Sequence, residues 1–216
     1  MMEWNTLYKG GVGEIEEKKS RFIATVEPVA SEEEAAAFIA AIKKKYWDAR
    51  HNCSAYIIGD NGEKSRCSDD GEPSGTAGRP MLDVLTKEQI TNVCVTVTRY
   101  FGGTLLGTGG LVRAYSAAVK AGIANSCVIS RINGYNIQIG CSYNDVGKIQ
   151  YLAAQNGYHI TNTDYGESVT VTMLTDDADR LIKDITDATA GTAKISEPSP
   201  VVYAIIDGKP EMIMNG

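Results

Sequence analysis

The sequence predicts a two-domain α+β protein, and three observations carry that reading. The 216 residues exceed an ordinary single domain but suit two modest ones, and 43% hydrophobic composition is enough for a core in each. Strand-like and helix-like patterns interleave from residue 20 to residue 125. After Ser130 the pattern restarts in the order βαββαβ, the ferredoxin-like split motif. The expected domains are therefore 1–130 and 131–216.

In the first domain, residues 20–29 (Ser-Arg-Phe-Ile-Ala-Thr-Val-Glu-Pro-Val) read as a strand ended by Pro28. Ser31-Glu32-Glu33-Glu34 forms a capping box, with Glu34 able to reach back to the backbone of Ser31. The helix it opens runs to about Lys45, with Ala35, Phe38, Ile39, Ile42 and Tyr46 at helical spacing. Lys43, Lys44 and Lys45 suit the negative end of its dipole, which explains that basic run without nucleic acid. Residues 53–58 read as a strand, Asn61-Gly62 as a hairpin turn, and 63–67 as the returning strand. Residues 68–80 are too rich in Gly and Pro for a regular element and make a long loop. A short helix over 81–90 follows Pro80, and residues 93–101 form a buried strand. Val93, Val95 and Val97 share one face of it with Arg99, which emerges where the apolar face stops. A helix from Gly110 to about Asn125 packs through Leu111, Ala114, Tyr115, Ala118, Ala121 and Gly122.

In the second domain, strands are expected at 135–141, 158–163 and 168–174, with an interrupted strand region over 192–206. Helices are expected at 144–156, ended near Gly157, and at 176–190, stopped by Gly191.

Charge and composition exclude several classes. Net charge is −6, divided as −1 over residues 1–130 and −5 over 131–216, so neither half offers broad electrostatic capture of nucleic acid. No apolar run is long enough to span a bilayer, and Met1-Met2-Glu3-Trp4-Asn5 lacks a signal pattern. A cytoplasmic protein with no membrane partner is expected. The five cysteines (Cys53, Cys67, Cys94, Cys127, Cys141) are scattered, odd in number and without a Cys-x-x-Cys pair, as fits reduced and mostly buried thiols.

The most informative stretch runs from Arg99 to Arg113 and holds Gly102, Gly103, Gly107, Gly109 and Gly110. Glycines gathered between a strand and a helix form a shaped turn, whose backbone N–H groups can face an anion. It is not a Walker A loop, because no Gly-Lys-[Ser/Thr] follows, and it does not match Gly-x-Gly-x-x-Gly. The Gly107-Thr108-Gly109-Gly110 segment is similar in kind to phosphate-wrapping turns of small-molecule kinases; the bland alternative is close backbone packing. Arg113 falls in the expected first turn of the helix, where the dipole disfavours a cation by up to about 1 kcal/mol. Its partner is either an internal carboxylate (Asp69, Asp70 or Glu72) or an anionic ligand.

Asp69, Asp70 and Glu72 suggest a hard cation or acid–base chemistry, although calcium-loop spacing is missing and Asp-Gly turns and capping explain much of the pattern. His51, Cys53 and Cys67 make a poor zinc signature, and nothing orients His51 and Cys53 as a catalytic pair.

Lys18-Lys19-Ser20-Arg21-Phe22-Ile23-Ala24, Ala49-Arg50-His51-Asn52-Cys53-Ser54-Ala55-Tyr56, the loop from Ser68 to Pro80 and the glycine run together closely resemble the YigZ/IMPACT family, in its bacterial two-domain form. The resemblance implies that the first domain has the α/β fold shared by the second domain of ribosomal small-subunit protein five, the fourth domain of elongation factor G and small-molecule kinases. For the second domain it implies similarity to the fifth domain of elongation factor G. Eukaryotic relatives regulate translation by binding the activator of a starvation-responsive kinase, so a general link to translation is implied here; no catalytic reaction comes with the family.

The leading expectation is a non-enzymatic translation-associated regulator that contacts RNA, the ribosome or translation factors. Its anion site would comprise Arg21, Arg79, Arg99, Gly102, Gly103, Gly107, Thr108, Gly109, Gly110 and Arg113, with no metal or cofactor. The rival is a Mg²⁺-dependent enzyme acting on a phosphorylated or nucleotide ligand through Asp69, Asp70, Glu72 and His51. A protein-binding adaptor is the third reading.

Overall fold

The computed structural model describes residues 4–206 and 208–213. Met1–Glu3, part of the chain start read for a signal pattern, lie outside the described residues. The chain forms two compact units, Met1–Ser130 and Arg131–Gly216.

The amino-terminal unit runs β1 (Asn5–Lys9), β2 (Gly11–Glu17), β3 (Ser20–Pro28), α1 (Glu32–Lys45), β4 (His51–Ile58), β5 (Lys64–Ser68), α2 (Gly78–Lys87), β6 (Ile90–Thr91), β7 (Val93–Tyr100), α3 (Gly107–Ala124) and β8 (Cys127–Ser130). Its main sheet has the order β2-β3-β7-β4-β5, and every pair in it is antiparallel. The unit is therefore α+β, not a parallel α/β layer structure. β7 lies between β3 and β4 and bonds to both. A second sheet, β6-β1-β8, pairs β1 with β6 in parallel.

Alternation along the strands sends Phe22, Ala24, Val26, Cys53, Ala55, Ile57, Val93, Val95 and Val97 to one face, where they pack with α2 and α3. The opposite face carries Tyr56, Ile58 and Cys94 and packs with Ala35, Phe38 and Ile39 of α1. The α1 cap forms nearly as expected: the Ser31 hydroxyl accepts from Glu34 N–H at 3.1 Å, but Glu34 reaches one residue further back, to Ala30 N–H at 2.7 Å.

Several elements differ from the sequence reading. Residues 5–17, to which the pattern assigns nothing, form β1 and β2; the pattern fails because Gly11 and Gly13 stand where a Cβ would overlap the backbone of Asn125 and Ala121 at the end of α3. α2 begins at Gly78 instead of Met81, because the Asp69 carboxylate accepts from the N–H groups of Ala77 and Gly78 at 3.0 and 2.8 Å and starts the helix early. α3 begins at Gly107 instead of Gly110, so the last three glycines of the run belong to its first turn.

The carboxy-terminal unit runs β9 (Ile132–Cys141), α4 (Tyr143–Asn156), β10 (His159–Tyr165), β11 (Val169–Thr175), α5 (Ala178–Ala188), β12 (Lys194–Ile195), β13 (Ser199–Ile206) and β14 (Lys209–Met212). The order β10-β11-β9-β13 is that of the split βαββαβ motif, extended by β14 and with β12 also on β9. Ile137, Ile139, Val171 and Met173 pack with Ile149, Leu181 and Ile185 of the two helices. Gly157 at φ 77° ends α4, and the Asp177 carboxylate caps α5 at Arg180 N–H, 3.0 Å. No helix among the described residues is long and apolar enough to cross a membrane.

Candidate functional site

The loop joining β5 to α2 is held by its own carboxylates, each with a different partner. Asp69 caps α2 and also accepts from Gly75 N–H at 2.8 Å. Asp70 accepts from Asn52 N–H at 2.7 Å and pairs with Lys43 Nζ at 2.5 Å, while the His51 ring donates from Nδ1 to the Asp70 carbonyl oxygen at 2.9 Å. Glu72 turns inward, where Oε1 accepts from Arg99 Nη1 at 2.6 Å and from the Tyr115 hydroxyl at 2.8 Å. The three carboxylates and His51 thus do not converge. Among the described residues no three His, Cys, Asp or Glu side chains form a metal-ligand cluster.

The Cys53 thiol lies 3.0 Å from the Asp69 carbonyl oxygen and 3.3 Å from the Tyr115 hydroxyl, either of which can accept its proton. Burial pushes this thiol up to about 12, so it stays protonated at neutral pH and is not a poised nucleophile. Burial likewise raises the Tyr115 hydroxyl well above the usual tyrosine range, keeping it a donor to Glu72.

Burial disfavours the charged form of Asp69, but N–H groups of Gly75, Gly78 and Ala77 outweigh it and hold the pKa below the ordinary 3.8. A depressed folded value means stability fully present above 3.8 and lost as pH falls through the lower folded value. Urea melts between about pH 6 and about pH 2 are expected to show Asp69→Asn less stable at neutral pH and less sensitive to acid than the wild type. Parallel acid limbs for the two proteins would refute that assignment.

The glycine run serves three separate purposes. At Gly102 a Cβ would overlap the carbonyl carbon of Lys19, so this glycine lets the β2–β3 hairpin tip touch the loop after β7. Gly103 and Gly107 take φ of 85° and 69°, with nothing crowding either position. Thr108, Gly109 and Gly110 present the opening N–H groups of α3, which has no side-chain cap and no acidic residue in its first turn. Because α3 starts early, Arg113 belongs to its second turn and not the first. Its guanidinium nevertheless folds back toward the helix start, with Nη1 3.6 Å from where a Gly109 Cβ would be.

The four arginines expected to act together are not gathered. Arg99 is buried against Glu72, its guanidinium carbon 5.4 Å from the Phe22 ring centre and 5.7 Å from that of Phe101, so it is not the open clamp expected. Arg21 is exposed, paired with Glu14 at 2.7 Å, and alternation places it on the other sheet face from Arg99. Arg79 is exposed and paired with Asp83 at 2.8 Å on α2. Arg113 is exposed and has no ion pair among the described residues; the carboxylates that could have answered it are engaged elsewhere.

Lys18 and Lys19, at φ of 46° and 65° in the tight β2–β3 turn, are exposed basic residues that the residue-by-residue reading did not assign to the site. The contact of Lys19 with the Gly102 position brings that turn to the glycine loop. A second missed signal lies in plain view: from Gln89 to Asn144 the chain has no acidic residue, while Arg99, Arg113, Lys120 and Arg131 fall within it. The domain is near neutral overall, yet this stretch is locally basic.

The fold and this network define a two-domain α+β protein whose amino-terminal unit ties a carboxylate-rich loop to its sheet and to Tyr115 of α3. A family model described as Impact N-terminal domain matches residues 18–123, and one described as Domain of unknown function (DUF1949) matches residues 139–192. IMPACT family member YvyE of Bacillus subtilis is 44% identical over 76% of this chain and 76% of its own length. IMPACT family member YigZ of Escherichia coli is 38% identical over 68% of this chain and 74% of its own. A solved structure of a hypothetical protein, 33% identical, superposes with a TM-score of 0.57 over 90% of this chain and 97% of its own. The chain belongs to the IMPACT family.

Proposed function

We propose that this protein is a translation-associated regulator whose amino-terminal unit contacts backbone phosphate of RNA, with the ribosome as the assembly on which it acts. The observation that carries the reading is the opening of α3: uncapped N–H groups, no acidic residue in the first turn, and an Arg113 guanidinium folded back toward them without a counter-charge among the described residues. Helix starts of this kind favour phosphate, and the neighbouring Lys18 and Lys19 add local positive charge. Contacts to phosphate carry no base information, so binding is expected to be sequence-tolerant and steeply salt-dependent. Arg99 contributes from beneath, fixing the strand end that feeds the loop.

The link to translation comes from the family resemblance, as does the proposed kinship of the two units with the second domain of ribosomal small-subunit protein five and the fifth domain of elongation factor G. The acidic carboxy-terminal unit is then the part that meets protein, since its charge repels nucleic acid.

Ribosome co-sedimentation tests the proposal. The wild type is expected to pellet with ribosomes at low salt, and Arg113→Ala to bind about tenfold more weakly, as the loss of one charge-assisted contact implies. Its salt slope should fall by about one. No association of the wild type at low salt, or equal binding of the two proteins, overturns the proposal.

A further inference from the structure

We propose that the groove between α1 and the β4–β5 hairpin binds a small organic anion, with a carboxylate or phosphate head and a compact apolar body. This site lies on the sheet face opposite α3 and does not depend on the function proposed above. β5 is the edge strand of the main sheet, and α1 packs on β4 and β7, leaving the edge uncovered. The cavity that results is about 280 Å³, near the lower bound of small-molecule sites.

Its chemistry is set by cross-strand register. Ser54 lies directly opposite Ser68, and Tyr56 opposite Arg66, so all four side chains face the groove from the sheet. Ala36 and Ile39 of α1 supply an apolar wall. The other charges at its rim are neutralised in pairs: Glu32 takes the Tyr56 hydroxyl at 2.6 Å and Lys64 at 3.7 Å, and Lys43 holds Asp70. Arg66 is exposed and makes no ion pair among the described residues, although, after the Tyr56 hydroxyl and Lys64, its charge helps hold the Glu32 carboxyl below its usual range across the groove.

The serine hydroxyl adds a second donor on the same wall. Ser54 lines the groove, and its hydroxyl makes no hydrogen bond among the described residues. A hydroxyl opening on the groove beside the Arg66 guanidinium is placed to donate to the same acceptor. Guanidinium and hydroxyl donors together match a carboxylate or phosphate, and the Tyr56–Ile39 wall fits the ligand's apolar body.

The test is amide and arginine side-chain NMR on the full chain, titrated separately with benzoate, phenyl phosphate and inorganic phosphate. Saturable shifts at Ser54, Tyr56, Arg66 and Ser68 are expected with benzoate or phenyl phosphate, weakened about tenfold or more by Arg66→Gln. Ser54→Ala should weaken them too while leaving Tm unchanged, since its hydroxyl makes no internal bond. Arg113→Gln should leave them intact, which separates this site from the start of α3. Absence of saturable shifts at β4 and β5 with all three probes overturns the proposal, as does an unchanged affinity in Arg66→Gln. Equal affinity for inorganic and phenyl phosphate also overturns it, because the apolar wall would then have no part in binding.

Discussion

Glu72→Ala is expected to cost the amino-terminal unit about 3–5 kcal/mol, a large share of what a domain this size has. The substitution removes the carboxylate that answers Arg99 and leaves a guanidinium buried between Phe22 and Phe101 with no counter-charge. It also strips the Tyr115 hydroxyl of its acceptor. Arg99 already has one nitrogen, Nε, without a partner, so the loss of Glu72 is not absorbed by a second hydrogen-bond network. Both tryptophans, Trp4 and Trp47, lie in this unit, and their fluorescence in urea therefore reports its unfolding separately from the other unit. Removing both charges should be far milder: Glu72→Leu combined with Arg99→Met is expected to recover most of the loss, because two desolvation costs disappear together. A Glu72→Ala midpoint within experimental error of the wild type would show that the pair is not the keystone the geometry makes it.

Tyr115→Ala is the second large effect, about 3–5 kcal/mol in the same measurement. Tyr115 is fully buried, stands edge-on to Phe22 with ring centres 5.2 Å apart, and joins α3 to the strand layer. Truncation opens a cavity between α3 and the sheet and removes the hydroxyl from Glu72. Tyr115→Phe separates the two contributions, since it keeps the ring and forfeits the hydroxyl's contact with the Cys53 thiol and its hydrogen bond to the charged Glu72, the latter about 1.5–3 kcal/mol. If the alanine and phenylalanine variants were equally destabilised, ring packing would contribute nothing, contrary to its complete burial.

Residues whose work is local were legible in the sequence. Ser31 caps the helix that follows it, Gly157 ends the one before it, and the valines of β7 alternate because one sheet face meets α2 and α3. Residues whose work depends on a distant partner were not. Nothing around Glu72 announces that it turns inward, since its reason is Arg99, 27 positions later. Nothing was assigned to Gly11 and Gly13, which admit the end of α3 against an edge strand. The same limit applies to the candidate site. The glycine run was visible as a unit, but its division into a packing contact at Gly102, two open positive-φ positions and a helix start required the tertiary structure. Expecting Arg99 at the surface followed from its place at the end of an apolar strand face; the long loop folding back over that end is what buried it.

The place of β7 between β3 and β4 also bears on how the chain is made. β3 and β4 leave the ribosome first and cannot pair with each other in the native register, because the strand that belongs between them is residues 93–100. Until that segment emerges, β3 and β4 each retain an unpaired edge, and the apolar face beneath them lacks both its central strand and α3. The native sheet of the amino-terminal unit therefore closes only after residues 93–100 have emerged, with the glycine-rich start of α3 following them.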